Sequence, residues 1–227
     1  AKNGAPAGNE GYNKKIEAVQ VQLVNKDENA PGTEENPFMQ REIETSVVYC
    51  AHVQDIGWQS EVKDGETAGT VGKSKRLEAF KISLEDQNVD GSIQYRAHVQ
   101  DIGWQSYVNA DEIAGTVGRK KAVEAIRIKL TGELAEKYDI YYRVHSSDFG
   151  WLGWAKNGED AGTQGYAKKV EAIQVQLVEK GGEAPGETSN AFKMKETEVQ
   201  YQAHVSDIGW QNIVTHGALA RPTGQNK

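Results

Sequence analysis

Tyr95-Arg-Ala-His-Val-Gln-Asp-Ile-Gly-Trp104 decides how this chain is read, because the chain writes it four times. The other copies run from Tyr49 to Trp58, from Tyr142 to Trp151 and from Tyr201 to Trp210. The Tyr, His, Asp, Gly and Trp keep their offsets in every copy. Self-similarity at a fixed period of about 46 residues is the mark of a repeat architecture. Within the stretch, Tyr95, Ala97 and Val99 share one parity, while Arg96, His98 and Gln100 share the other. That alternation predicts a half-buried strand, with Gly57 and Gly103 marking a bend or bulge before the Trp.

A second stretch recurs after each of the first three Gly-Trp pairs. It reads Glu78-Ala-Phe-Lys-Ile-Ser-Leu84, Glu124-Ala-Ile-Arg-Ile-Lys-Leu130 and Glu171-Ala-Ile-Gln-Val-Gln-Leu177, with a further copy at Glu17 to Leu23. Period-2 alternation predicts a second strand, and it places the Glu on the same face as Ile126, Ile128 and Leu130. Between the two strands lies a Gly-rich turn: Ala68-Gly-Thr-Val-Gly72, Ala114-Gly-Thr-Val-Gly118 and Ala161-Gly-Thr-Gln-Gly165. Its N-terminal copy is Ala7 to Gly11, and it decays to Ala220-Arg-Pro-Thr-Gly224 in the last. Only 131–138 has the composition of a helical turn.

These pieces divide the chain. Residues 1–24 are the C-terminal part of a preceding unit, and 25–45 form a linker rich in Pro, Gly and Glu. Residues 46–179 are a complete three-unit domain, 180–196 a second linker and 197–227 the N-terminal part of a following unit. The two linkers resemble each other: Ala30-Pro-Gly32 and Ala184-Pro-Gly186 are followed at equal spacing by Asn36 and Phe38, and by Asn190 and Phe192. A lone unit of two or three strands cannot bury its apolar face or hide its edges. The expected fold is therefore all-β, three units closing about a pseudo-threefold axis. A β-prism is preferred and a β-trefoil is the alternative, while an open solenoid is disfavoured by the long linkers.

The chain has 227 residues, a formal net charge of -7 and 8% aromatic residues. A pI near 5.4 and a mean hydropathy of -0.67 describe a polar, acidic chain. This argues against nucleic acid and anionic membrane surfaces, which need a basic face. No run of about 18 apolar residues predicts a membrane span. The first residue is Ala1, so the sequence reads as a piece of a processed protein. Its one cysteine, Cys50, sits where other copies carry Arg96 and Arg143, so no internal disulfide and no reactive role are expected.

The combination of His-Val, Asp-x-Gly-Trp, a Gly-Glu turn, Ala-Gly-Thr-x-Gly and Glu-Ala-x-x-x-x-Leu resembles the clostridial hydrophobic repeat with Gly-Trp, the ChW repeat. The resemblance covers nearly the whole chain except the long linkers. It implies a secreted or cell-surface protein of a Gram-positive anaerobe. It also implies units in multiples of three that bind polysaccharide, cell wall or other proteins, with no catalysis by the repeat. Ser146 in place of Val99, Asp111-Glu112 in place of Gly-Glu and the decayed last copy depart from the pattern.

Several side chains are candidates for function. Trp58, Trp104, Trp151 and Trp210 recur at one offset, which favours core wedges over sugar platforms. Three positions on, the residue varies among Glu61, Tyr107, Trp154 and Ile213. That variation predicts an exposed site, with Trp154 and Tyr107 as the better stacking candidates for a glycan. His52, His98 and His145 come one per unit, without a second ligand nearby, so they read as structural rather than metal-binding. Glu78, Glu124 and Glu171 on an apolar face need partners and read as buried polar anchors, not as a glycosidase pair. Asp55, Asp101, Asp148 and Asp207 fit turn stabilisation better than calcium binding.

No phosphate loop, CxxC, HExxH or GxSxG motif occurs. The expectation is a non-catalytic, cofactor-free module for polysaccharide or cell-wall glycan, made useful by multivalency. The rival readings are an assembly protein that self-associates through 1–24 and 197–227, and an adhesin for a host protein.

Overall fold

A computed structural model describes residues 1, 3, 5–10, 14–26, 28–29, 37–40, 44–196 and 198–215. Six long strands carry the fold: β1 (Ser46–Val53), β2 (Leu77–Glu85), β3 (Ser92–Val99), β4 (Val123–Thr131), β5 (Tyr138–Ser146) and β6 (Val170–Glu179). Each unit is one antiparallel pair: β1 with β2, β3 with β4, β5 with β6. A short helix, α1 (Glu133–Lys137), joins the second unit to the third. The chain is all-β in units of about 46 residues, as the repeats predict. Among the described residues no helix is long and apolar enough to cross a membrane.

Alternation explains the faces. Ile93, Tyr95, Ala97 and Val99 are wholly buried, while Gln94 and Arg96 between them are partly exposed. The inner faces of all three pairs meet in one apolar cluster, in which Tyr49, Tyr95 and Tyr142 are among the largest side chains.

The units interlock by exchanging edges. Ala114–Gly115 of the second unit pairs with β2 of the first, Gly115 opposite Ala79. Ala161–Gly162 of the third pairs with β4 of the second, Gly162 opposite Ala125. Ala68–Gly69 of the first pairs with β6 of the third, Gly69 opposite Ala172. The donations form a cycle, so each sheet is completed by a different unit.

Glycine is required at these three positions. The backbone φ angles of Gly69, Gly115 and Gly162 are 113°, 101° and 125°. A Cβ on any of them would lie 2.4 Å from the carbonyl oxygen of Glu171, Glu78 or Glu124 respectively. The small Ala beneath each glycine lets the two backbones approach.

The tyrosines follow the same cycle. Tyr95 Oη accepts a hydrogen bond from Ile82 N of the first unit at 3.0 Å and donates to Glu112 O at 2.5 Å. The Tyr142 phenol meets the backbone of Ile128 of the second unit and the Tyr49 phenol that of Val175 of the third, while their hydroxyls donate to Glu159 O and Glu66 O. Burial raises all three phenol pKa values, that of Tyr95 to about 12, so each stays a neutral donor.

One expectation fails at the glutamates. Leu77 lies opposite Val53 and Ala79 opposite His52, so Glu78 is the extra residue of a β-bulge. Glu124 and Glu171 are bulged in the same way. The bulge breaks the period-2 parity, so the carboxylates leave the inner apolar face and turn towards the histidines.

A second expectation concerned the chain ends. Residues 14–24 carry no strand, and Val19, Val21 and Leu23 are 75%, 84% and 97% exposed. Gln200–Tyr201 pairs with Val214–Thr215, and His204–Val205 with Gly209–Trp210, so these described residues pair among themselves and not with 1–24. The decayed turn at 220–224 and the rest of the C-terminal piece lie outside the described residues.

Gly118 has a φ of 76° and open space around its missing Cβ, so it serves as the control for Gly115. Gly118→Ala should cost about 1 kcal/mol, from backbone strain alone. Gly115→Ala adds a backbone collision and should cost at least about 3 kcal/mol in urea unfolding. Equal losses would mean that the donated edge is not tightly packed.

Candidate ligand-binding faces

The outward side of each pair is built on the hairpin that follows the His. In the second unit Ile102 N bonds Val99 O at 3.0 Å, and Asp101 and Gly103 take φ angles of 60° and 84°. The chain reverses, Gly103–Trp104 pairs with Val99 and His98, and the indole lands beside the imidazole. Ring centroids are 5.4 Å apart at 78° for His52–Trp58 and for His98–Trp104. They are 5.4 Å apart at 83° for His145–Trp151, and His204–Trp210 repeats the contact at 5.2 Å.

The expectation that these tryptophans are core wedges is therefore corrected. Trp58 is 38% exposed and Trp210 66%, while Trp104 and Trp151 are half-buried. The glycine turn sets the Trp across from an outward-facing His, so it cannot reach the inner face.

The bulged glutamate completes a cluster. His52 Nδ1 lies 3.2 Å from Glu78 Oε2, and His98–Glu124 and His145–Glu171 repeat that distance. The approach is close but poorly aligned, since each Nδ1 is buried without a well-formed hydrogen bond. Arg76 Nε and Nη2 bond Glu78 Oε1 at 2.9 and 2.6 Å, and Lys169 Nζ lies 3.7 Å from Glu171 Oε1. Ala122 occupies that place in the second unit, which therefore lacks the base. Among the described residues no group of three His, Cys, Asp or Glu is close enough to hold a metal ion. The cluster joins the Trp hairpin to the bulge.

Cations stack beside the rings. Arg96 lies 4.9 Å from the Trp104 ring and 4.6 Å from the Tyr107 ring. Arg127, held by Asp160 of the third unit, lies 4.8 Å from Trp104, and Lys129 lies 4.4 Å from Tyr107. In the first unit Cys50 replaces the arginine and Lys81 lies 5.4 Å from Trp58. Burial pushes the Cys50 thiol pKa up, away from thiolate reactivity.

In the third unit Arg143 lies 4.8 Å from Trp151 and 4.7 Å from Trp154. Trp154, expected to be exposed, is only 4% so. A strap from the following segment covers it: Trp154 N bonds Glu187 O at 2.9 Å, and Gly186 sits against the indole nitrogen. Phe192–Met194 then runs parallel to Gly162–Gln164, with Gly162 N bonding Ala191 O at 2.9 Å. The segment read as a linker thus packs on the third face. Composition gave no sign of this, although its likeness to 30–38 was a signal.

A match to the family model of the Clostridial hydrophobic W repeat, ChW, covers residues 52–86, 98–132 and 145–179. The chain carries three ChW repeats. Each matched ChW segment opens on the clustered histidine and runs to the end of its second long strand or just beyond. No curated protein and no solved structure matches the chain.

Where the strap leaves the third ChW repeat, Asp139 anchors it. Its carboxylate is 1% exposed, accepts from Gly181 N at 3.0 Å and Asn157 Nδ2 at 2.7 Å, and meets Lys156 and Lys180 at 2.9 Å each. Burial alone would raise its pKa, but these donors together hold it well below the usual carboxylate range. A depressed folded pKa adds stability above the unfolded value of about 3.9, which is lost as pH falls below it. Asp139→Asn should therefore cost on the order of 3 kcal/mol at pH 7, and the gap to wild type should narrow from about pH 4 downward. Denaturant midpoints from about pH 2 to about pH 7 check this; a pH-independent gap would show that the carboxylate is not the anchor.

Proposed function

We propose that this ChW protein is a non-catalytic, secreted or cell-surface module that holds glycans on its outward aromatic faces. The observation that carries the reading is the second face. There Trp104 and Tyr107, both half-buried, share Arg96, with Arg127 and Lys129 alongside. Two rings suit the apolar faces of adjacent pyranose residues, and the cations favour glycans that carry carboxylate or phosphate. One such face binds weakly, and several along a chain bind usefully.

Affinity electrophoresis against acidic wall polysaccharides tests this. Wild type should be retarded, less so at high salt, and Tyr107→Ala should weaken retention about tenfold, or ~1.4 kcal/mol, with an unchanged circular dichroism spectrum. No retardation by any polysaccharide, or an unaffected Tyr107→Ala, counts against glycan binding and leaves a protein receptor as the alternative ligand.

A second reading, assembly, is favoured by the exposure of Val19, Val21 and Leu23. Ile173 and Val175, which match Val19 and Val21, are wholly buried on β6. Segment 17–23 thus holds the second-strand half of a unit and 200–210 the first-strand half. Joining them between molecules would shelter both. Sedimentation should then show oligomers that grow with concentration and vanish in Val21→Asp. A monomer at every concentration would remove this reading.

A further inference from the structure

The first two repeats and the third treat the same sheet edge in different ways. In the first, Gln59 Oε1 accepts from Gly69 N at 2.7 Å, and its Nε2 donates to Gly69 O at 3.2 Å. In the second, Gln105 does the same to Gly115 at 2.7 and 3.1 Å. The side-chain amide occupies the place a neighbouring strand's peptide group would take. In the third repeat that residue is Leu152, and the strap's own backbone fills the place through Ala191 O.

The next residue is Ser60 or Ser106 in the first two repeats and Gly153 in the third. A Cβ on Gly153 would lie 2.1 Å from Ser189 O of the strap, so serine there excludes it. The third face is therefore a groove cut for an extended chain, with Leu152, Gly153 and Trp154 as its reading residues.

The chain holds a second segment of the same design. Ala30-Pro-Gly32, Asn36 and Phe38 repeat the spacing of Ala184-Pro-Gly186, Asn190 and Phe192. The backbones also repeat the pairing: Gly8–Glu10 runs parallel to Phe38–Gln40, and Gly8 N bonds Pro37 O at 2.9 Å. Gly8 opposite Phe38 has the register of Gly162 opposite Phe192. The Phe end of one peptide pattern thus pairs with one kind of edge twice.

We propose that the third repeat carries a peptide-recognition groove for the Ala-Pro-Gly strap, and that a strap from a second copy of the chain can take the resident strap's place. Recognition is parallel strand addition, with backbone bonds supplying affinity, and the Gly186–Trp154 contact and the half-buried Phe192 in register with Gly162 supplying selectivity. The resident strap competes at a high effective concentration because it is tethered. Exchange between copies would cross-link ChW domains without using the glycan faces of the first two repeats.

The test uses full-length Phe192→Asp, whose strap should be released and be cut by trypsin at Lys193 at least about tenfold faster than in wild type. A fluorescent peptide with the sequence of residues 29–41 is titrated into it. Saturable binding at least about tenfold tighter than to wild type is expected, and adding Leu152→Gln and Gly153→Ser should abolish that gain. Peptide binding that ignores Leu152→Gln and Gly153→Ser overturns the proposal. So does absence of binding to Phe192→Asp once its strap is free. If Phe192→Asp folds poorly, Leu152→Gln with Gly153→Ser in the otherwise unchanged chain decides. Tryptic cleavage at Lys193 must then accelerate by a similar factor, and unchanged protection overturns the groove.

Discussion

A glycine resting directly on the alanine of another unit holds this molecule together. The contact occurs three times, at Gly69–Ala172, Gly115–Ala79 and Gly162–Ala125. Both residues are as small as their positions demand, since a Cβ on the glycine would strike backbone rather than a movable side chain. The Ala-Gly-Thr turn and the Glu-Ala strand are thus two sides of one interface. They recur together because each needs the other, but the partner always lies in a different unit. A single ChW repeat consequently lacks an edge for its second strand, and its tyrosine hydroxyl lacks the neighbouring backbone it bonds. Stability is a property of the three units jointly.

Much of this was legible in the repeats. Alternation at Tyr95, Ala97 and Val99 gave the inner face of β3, and the same reasoning gave Ile126 and Ile128 on β4. Parity failed at Glu78, Glu124 and Glu171 for a definite reason. A bulge adds one residue to one strand and reverses the sense of everything before it. Pattern counting along one strand cannot see a bulge, because a bulge exists only relative to a partner strand. A charged residue recurring at an apolar parity was the available sign. Each of these glutamates is 5–7% exposed and lies against a histidine of its own unit.

The tryptophans were misplaced for a related reason. Recurrence at a fixed offset shows that a residue is needed, not which side of the sheet needs it. Gly57, Gly103 and Gly150 take φ angles of 86°, 84° and 72° and turn the chain back before the Trp. The indole therefore continues the outward side of the strand it has just left. There the T-shaped contact with His, the stacked cations and half-burial make it part surface and part support. Variation at Tyr107 and Trp154 marked the outward side of the sheet, but not exposure, since Trp154 is buried there. What covered Trp154 was invisible, because the cover comes from a segment with no alternating pattern of its own.

The differences among the three faces follow from how little the scaffold asks of them. Inner residues are fixed by the shared cluster, and Gly, Ala, Tyr, His and Glu by the contacts between and within units. The outward positions at Cys50, Arg96 and Arg143, and at Gln59 and Gln105, lie outside the shared cluster, whereas Leu152 joins it. At the edge of the donated strand an amide side chain and a real peptide group are interchangeable, since both offer one donor and one acceptor at the glycine. Replacing Gln by Leu and the next Ser by Gly therefore costs the fold little once a strap supplies the missing pair. Two residues turn a closed edge into an occupied groove, and the same three-unit framework presents two open aromatic faces beside one that reads peptide.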